Sequence, residues 1–63
     1  MSRRRILVAD DHPLMREIVK DVIETRHDVV GACGDGRTLV ELASKLAPEM
    51  VIADIDMPGL DGI

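Results

Sequence analysis

Short, unbroken apolar runs alternate along this chain with longer stretches in which apolar residues recur at helical spacing. Ile6-Leu7-Val8-Ala9 is apolar throughout and stops at Asp10-Asp11. A half-exposed strand would alternate polar and apolar positions, so this run predicts a strand covered on both faces. Pro13 follows, with a fixed φ suited to the first turn of a helix, and Asp11 or His12 is placed to cap it. Leu14, Met15, Ile18, Val19, Val22 and Ile23 then draw one stripe on a 3.6-residue helix, with Arg16, Glu17, Lys20, Asp21 and Glu24 opposite. Val29-Val30-Gly31-Ala32-Cys33 predicts a second strand, and Gly34-Asp35-Gly36 a turn with Asp35 as N-cap. Leu39, Val40, Leu42, Ala43 and Leu46 mark a second helix, which Pro48 stops. Met50-Val51-Ile52-Ala53 predicts a third strand that ends, like the first, on a carboxylate, Asp54. Met57 to Gly62 reads as loop, with Asp61 placed to cap a further helix.

The order β-α-β-α-β calls for an α/β fold: a three-stranded parallel sheet with right-handed crossovers. Parallel strands end on one edge, where open α/β sheets hold their ligands, so Asp10 and Asp54 share that edge. In order 1-2-3 their strands would lie about 10 Å apart, and in order 2-1-3 they are neighbours at about 4.8 Å. The uniformly apolar first strand belongs in the centre with helices on both faces, which favours 2-1-3.

Composition narrows the class. Apolar residues make up 46% and charged residues 32% of the 63, a globular balance. A single domain of this size is marginal in stability. Cys33 is the one cysteine, so there is no internal disulfide and no zinc-ligand spacing, and a small buried hydrophobe in a reducing, cytoplasmic setting is expected. No apolar run approaches the roughly 20 residues that span a membrane. Arg3-Arg4-Arg5 precedes too short an apolar run for a secretory signal and reads as a solvated lead-in to the first strand. A net charge of −4 and the absence of aromatic residues argue against a nucleic-acid surface.

Asp10, Asp11 and Asp54 therefore crowd one small site. Two carboxylates about 5 Å apart repel by roughly 3 kcal/mol at an effective dielectric near 20. A proton relieves that repulsion, and so does a hard divalent cation, for which an all-oxygen donor set suits Mg²⁺. A carboxylate beside such an ion can attack phosphorus and form an aspartyl phosphate.

Asp10-Asp11, together with Asp54-Ile55-Asp56-Met57-Pro58-Gly59-Leu60-Asp61-Gly62 starting 44 residues later, resembles the CheY-like receiver domains of response regulators. Asp10-Asp11-His12-Pro13-Leu14-Met15-Arg16-Glu17 is similar to receivers of LuxR/NarL-type transcription regulators. The resemblance covers the whole chain. It implies the first half of a flavodoxin-like receiver fold, a phosphoacceptor switch rather than an enzyme, with Asp54 as phosphoacceptor and a sensor histidine kinase as donor. It further implies Asp11 as a direct Mg²⁺ ligand, Asp10 as an acid that helps hold the ion, and Asp56 contributing its backbone carbonyl. The Ser or Thr and the Lys that receivers carry after strands four and five are expected beyond residue 63, as is any DNA-binding domain. Strand three then has an open edge, and a non-catalytic half-receiver that pairs with itself or another receiver through that edge is the alternative.

Two enzymatic readings compete. Asp54-Ile55-Asp56 echoes the DxD signature of haloacid-dehalogenase-like phosphatases, but Pro58 stands where that signature has Thr or Val, and the signature usually follows the first strand. Gly31, Gly34 and Gly36 punctuate a strand-to-helix turn, but their spacing is not the G-x-G-x-x-G of dinucleotide sites. His12 reads as a surface residue at a helix start that can touch the site mouth, and His27 as a helix-end residue favoured by the dipole.

Overall fold

The structure, a computed structural model, describes residues 2–54 and residue 57. Its elements are β1 (Arg5–Ala9), α1 (Pro13–Glu24), β2 (Asp28–Cys33), α2 (Gly36–Leu46) and β3 (Met50–Ala53). The strands form one parallel sheet in the order β2-β1-β3, as the uniformly apolar first strand predicts. The centre is the best-covered part of the sheet: Ile6, Leu7, Val8 and Ala9 are all buried. Burying each large aliphatic side chain contributes about 1.5–3 kcal/mol.

Alternation along β1 divides the core between two layers. Leu7 and Ala9 pack with Cys33 and with Leu39 of α2, joined by Leu42, Ala43 and Met57. Ile6 and Val8 point to the other face, where α1 packs against β1 and β2. Gly31 lets α2 approach β2: a Cβ there would lie 2.9 Å from Leu46 Cδ1 and 3.1 Å from Leu7 Cδ1.

Each helix is bounded by local chemistry. Asp35 caps α2 as expected: its Oδ1 accepts from the Thr38 backbone N–H at 2.8 Å and its Oδ2 from the Thr38 hydroxyl at 3.0 Å. The helix ends on Ala47, which adopts a left-handed φ of 45° before Pro48. Arg5 fastens that turn by donating from Nη1 to the Ala47 carbonyl at 3.0 Å. At α1, Pro13 takes the first turn, but neither Asp11 nor His12 supplies a capping side chain. The Asp10 carboxylate instead accepts from the His12 backbone N–H at 2.9 Å, so the acid serves the turn before the helix.

Three further expectations are revised. α1 closes at Glu24 with Thr25 as C-cap, so His27 lies outside it; its Nδ1 accepts from the Arg4 backbone N–H at 3.1 Å. The α1 stripe is only partly used: Val19 and Ile23 are half-buried, while Leu14, Met15, Ile18 and Val22 are exposed. A six-residue stripe is wider than one helix-on-sheet contact, and no described residue covers the remainder. The arginine lead-in is also more than solvated. Arg3 pairs with Asp28 at 2.8 Å, and Arg4 with Glu49 at 3.1 Å, tying the start of β1 to those of β2 and β3.

Candidate functional site

The acid-bearing turns are fixed by the sheet register. Ala9 pairs with Ala53, so the next residue on each strand, Asp10 and Asp54, leaves the sheet at the same level. The ladder continues one step beyond the strands: Asp54 N–H donates to the Ala9 carbonyl at 3.1 Å, and Asp10 N–H to the Cys33 carbonyl at 2.9 Å. Asp10 is thereby tied to the end of β2 and its neighbour Ala9 to Asp54, with Asp11 following at the mouth.

The three acids expected to converge do so, and a fourth residue joins them. Asp10, Asp11, His12 and Asp54 each offer a ligand atom, all within 4.8 Å of one another. The Asp10 side chain is 17% exposed and that of Asp11 32%, against 71% for His12. Asp10 thus sits at the floor of the cluster and His12 at its rim. His12 Nδ1 lies 3.0 Å from Asp11 Oδ1 and 3.5 Å from Asp10 Oδ1. No described Lys or Arg side chain pairs with the carboxylates of Asp10 or Asp11. Asp56 lies outside the described residues, as does Asp61.

This donor set fits a hard divalent cation. It presents carboxylate oxygens on two adjacent strand ends, partly open to solvent, where water and a phosphate oxygen would complete the shell of such an ion. The cluster lacks the thiolates and multiple imidazoles that favour softer metals, Cys33 being buried in the core. Burial pushes the Cys33 thiol above its ordinary range, a tendency that a hydrogen bond from the Asp35 backbone partly offsets.

The neighbouring turn does not build a dinucleotide site. Asp35 occupies the N-terminus of α2 with its own carboxylate, where a pyrophosphate would have to sit. The Thr38 backbone and hydroxyl hydrogen bonds hold the Asp35 carboxyl below the usual carboxylate range, so the position stays anionic.

Sequence reasoning placed Asp10, Asp11 and Asp54 together and gave His12 a minor part. It missed Arg16, whose Nη1 donates to the Asp10 carbonyl at 2.9 Å. Arg16 falls on the polar side of the α1 pattern, and periodicity does not reveal a long side chain folding back onto a backbone oxygen six residues earlier.

Residues 6–63 match the family model of the response regulator receiver domain. The chain is 46% identical over 61 residues to the protein-glutamate methylesterase/protein-glutamine glutaminase of Thermotoga maritima, covering 94% of this chain and 18% of that protein. It is 42% identical over 60 residues to the nitrate/nitrite response regulator protein NarL of Escherichia coli K12, covering 92% of this chain and 28% of the relative. It is 43% identical over 61 residues to the transcriptional regulatory protein PdtaR of Mycobacterium tuberculosis, covering 95% and 30%. The chain thus spans less than a third of each of these relatives. With the family model running from the first core strand to the last residue, this chain belongs to the response regulator receiver domain family, the receivers of two-component systems.

Proposed function

We propose that Asp54 accepts a phosphoryl group, with Mg²⁺ held by Asp10, Asp11 and Asp54 and by the backbone carbonyl of Asp56. The convergence of Asp10, Asp11 and Asp54 within 4.8 Å on one sheet edge carries this reading. The phosphodonor is a phosphohistidine of a sensor kinase. A carboxylate oxygen of Asp54 attacks phosphorus, the P–O bond forms as the donor's P–N bond breaks, and the leaving imidazole takes a proton from solvent. Bound Mg²⁺ supplies positive charge against the phosphoryl oxygens and offsets the repulsion among the acids. Asp10 and Asp11 hold the ion beside Asp54. His12 stands at the rim, within reach of an incoming donor.

Relatives such as NarL and PdtaR, named as regulators, favour control of transcription as the output. DNA contact then belongs to segments outside these residues, and the setting is the cytoplasm. The module acts as a switch and carries no turnover of its own.

Intact-mass measurement after treatment with a small phosphodonor and Mg²⁺ tests the reading. The full-length protein gains one phosphoryl group, lost in Asp54→Asn and on chelation of Mg²⁺. Retention of the added mass in Asp54→Asn would refute the assignment.

A second reading rests on β3. Met50, Val51 and Ile52 are 49, 42 and 38% exposed, and among the described residues β3 pairs only with β1. In that reading the chain is a non-catalytic half-receiver that binds a second receiver or itself through this edge. An obligate dimer inert to phosphodonors would favour it over the switch.

A further inference from the structure

We infer that Arg16 and Gly34 form a clamp that sets the position of the Asp10-Asp11 turn, making Arg16 a positioning residue for the metal-binding acids. The inference rests on the phosphoacceptor reading above and names a device within that same site.

Three elements meet at this point. The Asp10 carbonyl, where the chain leaves β1, receives the Arg16 guanidinium from α1 at 2.9 Å in a partly buried contact. Gly34, just past β2, provides the space: an added Cβ would lie 2.8 Å from Arg16 Nη1, 3.6 Å from the Asp10 carbonyl oxygen and 3.8 Å from Asp11 Cα. Other ties on the turn include the Asp10 N–H bond to Cys33 and the His12 N–H bond to the Asp10 carboxylate. The second of these uses a carboxylate oxygen that the metal also needs. The guanidinium contact leaves both carboxylates free for ligation and holds the backbone from which they project.

The sign of the effect separates positioning from charge. A guanidinium beneath an acidic cluster opposes a divalent cation, so removing its charge alone would strengthen Mg²⁺ binding. A clamp predicts the reverse, because support behind a ligand is commonly worth tenfold or more in metal affinity. Gly34→Ala isolates the geometry. The close contact is with the far end of a flexible side chain, so the guanidinium swings away while its charge and the fold remain.

The test is calorimetric titration of the full-length protein with Mg²⁺, with circular dichroism verifying the fold of each variant. Arg16→Met and Gly34→Ala are each expected to weaken binding by about tenfold. The double variant is expected to bind no worse than either single one, because both remove one contact. Unchanged or tighter binding in Gly34→Ala, or losses that multiply in the double variant, would overturn the clamp. Asp11→Asn is the control: if it leaves Mg²⁺ binding intact, the metal-site reading falls and the clamp with it. If it abolishes binding while Gly34→Ala does not weaken it, the clamp alone falls.

Discussion

Single residues carry most of the chemistry here, and those that carry it by position were the readable ones. A carboxylate that ends an apolar run must lie at the strand end, so Asp10, Asp11 and Asp54 could be placed before any coordinates. Asp35 was equally legible as a cap, because a turn followed by a helical stripe leaves one residue for the part. Its depressed pKa has a consequence in acid. As pH falls, the unfolded chain binds the Asp35 proton first, at its ordinary value near 3.8. The stabilisation is therefore whole above that value and is lost as pH drops through the lower folded one. Asp35→Asn keeps a capping oxygen but does not titrate, so its stability should fall less steeply below about pH 4. Denaturant unfolding at stepped pH checks this, and equal slopes in both proteins would contradict it. Arg16 escaped, and His12 was given only a minor part, because their roles depend on where side-chain tips land. One reaches back along a helix and the other leans over a turn, and no residue spacing encodes either.

At the level of elements, every strand and helix among the described residues was predictable from periodicity and breakers, with ends shifted by up to three residues. The shifts have local causes. β1 extends back to Arg5 because the Glu49 backbone N–H donates to the Arg5 carbonyl at 2.9 Å. α1 stops before His27 because the Thr25 and Arg26 N–H groups donate to carbonyls only three residues back, those of Val22 and Ile23, which tightens the chain into a turn. Pro48 predicted the end of α2 but not how the chain turns there, which is through a left-handed alanine. Glycine accepts that conformation without the penalty an alanine Cβ incurs, although it also loosens the unfolded chain. Ala47→Gly is thus expected to raise stability by about 0.5 kcal/mol, the surplus of relieved strain over added chain entropy. A denaturant midpoint at or below the parent's would show that the Arg5 contact at this carbonyl, and not the φ angle, governs the turn.

For the molecule as a whole, the order 2-1-3 sets both the site and the exposed surface. It makes β1 the shared neighbour and leaves β3 with one paired side among the described residues, its apolar side chains half in water. Such an edge is a template for association. The 63-residue chain is expected to associate as its concentration rises, and Val51→Lys to shift it toward monomer in sedimentation experiments. A parent that stays monomeric throughout would remove the basis for edge pairing. The sheet order also bears on the timing of assembly. Asp10 and Asp54 are adjacent in space but separated by both helices and the whole of β2, so the loop that joins them closes late and slowly. A growing chain carries its first two acids long before the third arrives, and holds no complete ion-binding trio until β3 docks. On the proposed function, ligation would link β3 to β1. If the proposed site holds, magnesium should slow the undocking of β3 and protect its backbone amides from hydrogen exchange, tying the persistence of this exposed strand to the ion.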